Sequence, residues 1–187
     1  KLELKKGLNE TQYYYYSMDL ETRKMIIESL VLTKLNYCSL IYSKCSATLK
    51  KEVQKVQNFA AKVACGNGKK HDHATPFINK LKWLRMEENY KVAEETFVYK
   101  VVTNRMPSWV INFPSNNSRQ QSRALRNVNE LVVKDMKTTY GRKSLAYSGL
   151  HLFNSLPQCT KELLTVKSFK ANMRTLEMNK RTVSEAF

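Results

Sequence analysis

The order of apolar and polar side chains predicts a mainly helical protein. From Asp19 to about Ser43, apolar residues recur at spacings of three and four, which is typical of an amphipathic helix. Asp19 is the predicted N-cap, and Glu21 places an acidic side chain in the first turn. The face predicted to be buried comprises Ile26, Leu30, Cys38, Ile41 and Tyr42.

A second amphipathic helix is predicted in the stretch ATLKKEVQKVQNFAAKVAC. Ser46 is a good N-cap, and Gly66 and Gly68 suit the end of the helix because glycine readily adopts the left-handed conformation of a C-cap. The predicted inner face comprises Leu49, Val53, Val56, Ala60 and Ala64. The predicted outer face comprises Lys50, Lys51, Lys55 and Lys62.

Helical periodicity resumes after the polar loop GNGKKHDHA. Thr75 and Pro76 predict a helix start, with a threonine cap followed by proline at the first helical position. The helical pattern continues to about Asn104. Its apolar stripe comprises Met86, Tyr90, Ala93, Phe97 and Val101.

The last part of the chain has a less regular pattern. Residues 111–127 are polar, basic and poor in hydrophobic side chains, which favours a loop or linker. The stretch ELVVK has β-branched residues and predicts a short strand near Leu131. A short helix is predicted to stop at Pro157, and a last helix is predicted from about Val166 to Met178.

These patterns predict a mainly α fold in two parts. Residues 1–66 are expected to form a helical segment, and residues 67–187 an α-rich C-terminal region with a small β element. A chain of 187 residues is long enough to bury a real hydrophobic core. Because it begins with Lys1 rather than Met, we expect a piece of a longer protein.

The net charge points to the class of partner. The chain has 32 Lys and Arg residues against 16 Asp and Glu residues, so its formal net charge is +16. Small domains usually have a net charge of about 2–8 in magnitude. The excess favours a polyanion, either nucleic acid or an anionic membrane surface, over a merely solvated lysine-rich surface. No stretch approaches the roughly 18 apolar residues of a membrane span, so we expect a soluble chain.

The sequence does not favour independent catalysis. The three aspartates, Asp19, Asp72 and Asp135, are far apart, whereas two-metal phosphoryl chemistry needs clustered carboxylates. The chain has no G-x-S-x-G motif, and five glycines hardly suffice for phosphate-cradling loops.

The cysteines and histidines favour a structural role over a metal site. Without a secretory signal or a C-x-x-C pair, a disulfide framework is not expected. His71, His73 and Cys65 raise zinc as an alternative, although the paired spacings of zinc sites are absent. On one helix, Cys38 and Cys45 would lie two turns apart, about 10.5 Å, which is too far for a disulfide. Both are therefore predicted to be core residues.

Two groups of cationic residues are candidates for nucleic-acid binding. The first is the predicted outer face of the second helix, with Lys50, Lys51, Lys55 and Lys62. The second comprises Arg119, Arg123, Arg126, Arg142 and Lys143. Arginine suits phosphate because its guanidinium is a planar fork of donors, and nearby tyrosines and prolines offer stacking surfaces. A disordered basic linker with no fixed partner is the alternative for the second group.

Five blocks in order along the chain resemble one protein family. LNYCSLIYS resembles an L-D-Y-C segment followed by a short apolar-aromatic run, and KVQNFAAKVACG resembles an L-Q-N-x-A-A-R-L-hydrophobic helix. HDHATPFINKLKWLRMEENYKVAEETFVYKVV is similar to the pattern D-H-x-T-P-x-L-x-x-L-x-W-L-P followed by a helix ending in Y-K. GRKSLAYSGLHLFNSLP resembles G-x-x-S-F-x-x-x-G-x-x-L-W-N-x-L-P, and TVKSFKANMRTL resembles a closing S-F-K-x-x-L. From about Leu20 to Leu176 the chain is similar to the thumb and post-polymerase region of non-LTR (LINE/jockey-like) retrotransposon reverse transcriptases. The departures from the pattern, which suggest a diverged or decaying copy, are Asn36, Arg85, Leu145 and Phe153.

The resemblance implies that residues 1–66 are thumb-like helices that lie against a template–primer duplex. The family's paired aspartates belong to an F/Y-A-D-D motif in the palm, which this chain lacks. No catalytic residue and no cofactor are therefore expected here, and Mg²⁺ is expected only at the absent palm site. The D-H-x-T-P loop, with His71, Asp72 and His73, is expected to be a capped turn rather than a metal site. Cys38 matches the family's core cysteine.

The expected function is to hold RNA or an RNA–DNA hybrid by backbone contacts for an RNA-directed DNA polymerase whose active site lies outside this chain. These contacts should be largely independent of sequence. The resemblance implies RNA, RNA–DNA hybrid or DNA and the palm of the parent protein as partners, no membrane, and an intracellular location in cytoplasm and nucleus. The alternatives are a decayed or host-adopted helical module that binds an acidic protein, and a zinc-bound module.

Overall fold

The computed structural model describes residues 17–66, 71–107, 131 and 133–185, and the regular structure of these residues is helical. The predicted mainly α fold is therefore confirmed. None of the described helices is long and apolar enough to cross a membrane. The helices are α1 (Leu20–Ile27), a π-helical segment (Glu28–Leu32), α2 (Thr33–Asn36), α3 (Ser39–Tyr42), α4 (Ala47–Cys65), α5 (Thr75–Lys80), α6 (Met86–Val102), α7 (Thr139–Lys143), α8 (Leu145–Asn154), α9 (Gln158–Lys161) and α10 (Val166–Glu185).

The described residues belong to two compact units. The first contains residues 17–39, 45–66 and 71–86, and the second contains residues 40–44, 87–107, 131 and 133–185. The helix α5 and the turn that follows it therefore belong to the first unit, together with α4.

The smallest side chains of α4 form the centre of the first unit. Ala61 and Ala64 are fully buried, and they pack in one cluster with Ile78 and Leu81 of α5 and with Trp83. Small residues on this face allow the neighbouring helices to approach α4 closely, as dense core packing requires. Partly buried side chains that pack against this cluster are Leu20, Ile27, Val31, Leu32, Ala74 and Phe77.

The helix α4 has the caps that the sequence predicts. Ser46 has an extended backbone, and its Oγ accepts a hydrogen bond from the N–H of Leu49 at 3.4 Å. Gly66 ends the helix in the left-handed conformation, with φ of 76°, where a residue with a Cβ would be strained. The other glycine predicted to end this helix, Gly68, lies outside the described residues.

The long helix predicted from Asp19 to about Ser43 is interrupted. Asp19 caps α1 as predicted, and its carboxylate accepts from the N–H of Thr22 at 3.4 Å. The π-helical segment then changes the register, because each extra residue in a turn rotates the face that follows. A second break follows α2, at Tyr37 and Cys38.

Cys38 is exposed and has a left-handed backbone, with φ of 52°. The prediction that Cys38 is a core residue was therefore wrong. Leu30, Ile41 and Tyr42, which were assigned to the same buried face, are exposed as well. The other free cysteines differ in exposure: Cys45 is half-buried, Cys65 is buried and Cys159 is exposed. Burial raises the pKa of the Cys65 thiol.

The predicted inner face of α4 was correct only in part. Ala60 and Ala64 are buried as predicted, but Leu49 and Val56 are 56% and 47% exposed. The observed inner face instead contains Gln57, Ala60, Ala61, Ala64 and Cys65. The face of the helix is therefore selected by small side chains and one buried amide rather than by the largest apolar residues.

Polar side chains of α4 hold the turn between α5 and α6. The side chain of Gln57 is fully buried, and its Nε2 donates to the carbonyl oxygen of Leu84 at 2.7 Å. The Oε1 of Gln54 accepts from the N–H of Met86 at 2.9 Å. Trp83 donates from Nε1 to the carboxylate of Glu28, in the π-helical segment, at 2.7 Å. These bonds satisfy polar groups that would otherwise be costly to bury.

The predicted start of α5 and the predicted apolar stripe of α6 are each confirmed in part. Pro76 lies in the first turn of α5, but Ala74 rather than Thr75 occupies the N-cap position. In α6, the residues Met86 and Tyr90 of the predicted stripe are buried.

The second unit is built around aromatic side chains of α6, α8 and α10. Tyr99 and Phe169 are buried and stacked, with ring centroids 4.2 Å apart, and the Tyr99 hydroxyl donates to the carbonyl of Leu163. Gly149 of α8 allows a close approach, because a Cβ added there would lie 2.9 Å from Val98 Cγ2. Further buried residues of this core are Leu150, Phe153, Leu156 and Met173.

The strand predicted near Leu131 is absent from the described residues there, which are 131 and 133–136. The amide of Asn154 pairs with the backbone of Leu131 instead. Asn154 Oδ1 accepts from the Leu131 N–H at 3.1 Å, and Asn154 Nδ2 donates to the Leu131 carbonyl at 2.9 Å. A side-chain amide therefore makes the two hydrogen bonds that a neighbouring strand would supply.

We predict that Gln57→Met destabilises the protein by about 1–3 kcal/mol, because it removes the buried hydrogen bond from Gln57 Nε2 to the Leu84 carbonyl while keeping a side chain of similar length. The free energy of unfolding, measured by urea titration, checks this. The matched control is Gln158→Met on α9, where the glutamine is exposed. The control should change stability by less than about 0.5 kcal/mol. Equal effects of the two substitutions would contradict the role given to Gln57.

Candidate nucleic-acid interface

The outer surface of α4 carries a row of lysines. Lys51, Lys55 and Lys62 follow one another at intervals of four and seven residues, so they lie along one side of the helix. Lys51 and Lys55 are exposed, whereas Lys62 is half-buried and interacts with other residues. The opposite side of the helix packs in the core, so the helix presents this row away from the core.

Lys50, the fourth lysine predicted for the outer face, lies elsewhere on α4. It precedes Gln57 by seven residues, so the two residues share one side of the helix. Lys50 is half-buried. The assignment of Lys50 to the outer face was therefore wrong, since the face of α4 is turned relative to the sequence prediction.

Lys55, an exposed cation of the row, forms only a weak ion pair within the chain. Lys55 Nζ lies 2.7 Å from Glu52 Oε1, and the two side chains are 70% and 58% exposed. An ion pair this exposed contributes little, typically about 0–1 kcal/mol. A phosphate group can therefore replace the carboxylate as the partner of Lys55 at small cost.

An apolar strip lies next to the lysine row. Leu49, Val56 and Phe59 are exposed on α4, and Phe59 is exposed to 69% of its full area. Phe59 follows Lys55 by four residues and precedes Lys62 by three, so its ring lies beside the row. The sequence prediction missed this strip because it assigned Leu49 and Val56 to the core.

The second predicted group is only partly within the described residues. Arg119, Arg123 and Arg126 lie outside them. Arg142 and Lys143 are exposed in the second unit, in α7. The Nε of Arg142 donates to the carbonyl of Met136 at 2.9 Å, which orients the guanidinium while its terminal nitrogens retain donors.

No group of three or more His, Cys, Asp or Glu side chains in the described ranges is arranged to hold a metal ion. His71, Asp72 and His73 are exposed in the loop before α5. Asp72 interacts with other residues of the chain. The zinc alternative therefore gains no support from the geometry.

Buried carboxylates in the second unit form an internal network. Glu94 is held by Lys44 and by the hydroxyl of Ser43, whose Oγ lies 2.8 Å from Glu94 Oε1. Glu177 is buried and lies 2.5 Å from Lys180 Nζ. The neighbouring Glu95 differs, because its Oε2 is buried and has no hydrogen-bond partner among the described groups. Burial, followed by the negative charge of Glu177, raises the pKa of Glu95 to about 8.

The raised pKa of Glu95 makes a pH-dependent contribution to stability. The folded chain keeps this proton up to about pH 8, whereas the ordinary pKa of a glutamate, which applies to the unfolded chain, is 4.5. Between these two values the unfolded state binds fewer protons, so this group makes stability fall as the pH rises. The slope from this one group is at most about 1.4 kcal/mol per pH unit.

We predict that Glu95→Gln stabilises the protein relative to the wild type, and increasingly so from pH 5 to pH 8, because glutamine cannot ionise. Urea unfolding of both proteins at several pH values checks this, since other groups titrate in both and cancel in the difference. The control is Glu162→Gln, at an exposed position. A difference that stays constant across this pH range would show that Glu95 is ionised in the folded protein.

No family model matches this chain, and no curated protein or solved structure is significantly similar to it. The family resemblance of the five sequence blocks therefore stays a prediction. Within the described residues, four of these blocks supply side chains that make stabilising contacts of the fold. Gln57 belongs to the second block, Trp83 and Leu84 to the third, Asn154 to the fourth and Phe169 to the fifth.

Proposed function

We propose that this chain is the thumb and C-terminal region of a retrotransposon reverse transcriptase, and that it holds RNA or an RNA–DNA hybrid through phosphate contacts. The polymerase active site then lies in the palm of the parent protein, outside this chain. The observation that carries the proposal is the exposed row of Lys51 and Lys55 on the outer side of α4. The opposite side of the same helix is fixed in the core by Gln57 and the small residues near it.

The geometry of the row suits a nucleic-acid backbone. Lys51 and Lys55 are four residues apart and therefore about 6 Å apart along the helix axis. A single DNA strand carries one phosphate per about 3.4 Å of its axis, so the two ammonium groups can reach phosphates close together on one strand. Contacts of this kind carry no sequence information, which suits a protein that must hold any template.

Because α4 is a rigid helix, these lysines can contribute more to the binding free energy than they would on a flexible loop. α4 has 19 residues and is capped at both ends by Ser46 and Gly66, so its outer side is a defined surface. Charged groups on a rigid helix lose less conformational freedom on binding than the same groups on a flexible loop. The exposed ring of Phe59 adds a flat apolar surface beside the cations, on which a base or a sugar can rest.

A second function is favoured by the apolar strip. Leu49, Val56 and Phe59 lie exposed along α4 beside lysines, which is an arrangement that an acidic amphipathic helix could cover. The chain would then be a helical protein-interaction module, either a decayed copy of the element or one adopted by its host. Its binding would depend on the apolar side chains more than on the salt concentration.

We predict that the full 187-residue chain binds a labelled RNA–DNA hybrid of about 20 base pairs with a steep salt dependence between about 50 and 200 mM. The variant Lys51→Glu/Lys55→Glu should bind at least about tenfold more weakly at 100 mM salt. Loss of two phosphate contacts should also reduce the log–log salt slope by about 1.4–1.8. Fluorescence anisotropy measures both quantities, and circular dichroism confirms that each variant is folded.

The matched control is Lys34→Glu/Lys82→Glu, which makes the same change of net charge at two exposed lysines outside the row. An equal loss in both variants would mean that only the net charge acts, and the interface on α4 would be rejected. If the folded wild type fails to bind at 50 mM salt, the nucleic-acid proposal is wrong. In that case Phe59→Ser, tested against an acidic amphipathic peptide, examines the second function.

A further inference from the structure

The aromatic stack of the second unit brings two lysines together. Tyr99 of α6 and Phe169 of α10 are buried face to face, with an interplanar angle of 14°. Lys100 and Lys170 are the next residues along these two helices. Lys100 is half-buried and Lys170 is exposed, and the two charges interact, since the positive charge of Lys100 contributes to lowering the pKa of Lys170.

Two more cations extend this cluster along α10. Lys167, Lys170 and Arg174 follow one another at intervals of three and four residues, so they form one row on the helix. All three are exposed, while Phe169 and Met173 of the same helix are fully buried. The row therefore lies on a well-fixed helix, and Lys100 adjoins it from α6.

The electrostatic environment of Lys170 shows that these charges are concentrated. Partial burial, followed by the positive charges of Arg174 and Lys100, lowers the pKa of Lys170. No carboxylate is among the described groups that perturb Lys170. The acidic residues nearest in sequence to the cations of α10 are engaged elsewhere, since Glu177 pairs with Lys180 and Glu162 accepts from Gln158.

A cluster of like charges opposes folding unless an anion offsets it, because like charges at this helical spacing repel one another. The apolar contacts of the core do not require cations at these positions. A partner with closely spaced negative charges would turn the repulsion into attraction, and a chain of phosphates has this property.

We propose that Lys100, Lys170 and Arg174, with Lys167 beside them, form a second phosphate-binding surface that takes the backbone of the bound nucleic acid. The planar guanidinium of Arg174 supplies a bidentate contact, and the lysines supply point charges. The inference rests on the proposed function for the identity of the ligand. It adds a surface on the second unit that is separate in sequence from Lys51 and Lys55.

The test compares two triple variants of the full chain with the same loss of charge. Lys100→Gln/Lys170→Gln/Arg174→Gln removes the cluster, and Lys34→Gln/Lys80→Gln/Lys82→Gln removes three exposed lysines elsewhere. With the labelled RNA–DNA hybrid at 100 mM salt, we expect at least tenfold weaker binding for the first variant and less than a threefold change for the second. The salt slope of the first variant should fall by about 2–3, one contact for each cation removed.

A second measurement follows Lys170 itself. NMR of ¹³C-methylated lysines, with the resonance assigned through Lys170→Arg, reports the pKa of this group in the free chain and in the complex. In the free chain the pKa of Lys170 should lie below the ordinary value of a lysine. Addition of the hybrid should raise its pKa, because the phosphates replace a positive potential with a negative one. Should the triple variant fail to fold, the double variant Lys170→Gln/Arg174→Gln replaces it.

The outcomes separate this inference from the proposed function. If Lys51→Glu/Lys55→Glu weakens binding but the cluster variant behaves like its control and the pKa of Lys170 stays unchanged, the inference is wrong and the proposed function stands. If only the cluster variant loses binding, the second surface is supported and the interface on α4 is rejected. If the folded wild type binds no hybrid, both are wrong. Binding to vesicles of anionic lipid but not to the hybrid would overturn both in favour of a membrane surface.

Discussion

The buried amide of Gln57 is the constraint on which the first unit depends. It lies at the centre of the alanine-rich face of α4, and it binds the carbonyl of Leu84 in the turn that leads into α6. Gln54 stands one turn earlier and binds both the Gln57 side chain and the N–H of Met86. A buried hydrogen bond of this kind has a direction, whereas apolar contacts do not. It therefore fixes the rotation of α4 about its axis, and with it the side chains that face solvent.

The same chemical device recurs in the second unit. The side-chain amide of Asn154 forms hydrogen bonds with both the N–H and the carbonyl of Leu131, in a segment without regular structure. Both amides belong to the sequence blocks on which the family resemblance is based, and both satisfy backbone groups that no helix or strand pairs. Within these blocks, the two amides therefore stabilise irregular turns of the fold.

The sequence was sufficient for the fold class and for most helix ends, because caps such as Asp19, Ser46 and Gly66 act locally. It was insufficient where tertiary packing overrules periodicity. A π-helical segment shifted the face of the first long helix, and the burial of Gln57 turned α4 so that Leu49 and Val56 became exposed and Lys50 half-buried. The exposure of Lys51 and Lys55 was predicted correctly, since both positions face solvent in the predicted and in the observed rotation of α4. The cluster around Lys170 was not foreseen, because no local pattern shows that Tyr99 stacks on Phe169.

The four thiols of the chain are unequal in a way that can be used experimentally. Cys38 and Cys159 are exposed and belong to different units, whereas Cys65 is buried and its raised pKa keeps the thiol in its unreactive protonated form. Brief treatment with maleimide dyes should therefore favour Cys38 and Cys159, once Cys45 is replaced by serine. A donor and an acceptor at these two positions would report the distance between the units in single molecules. Such a pair would show directly whether this distance changes when the labelled hybrid is added.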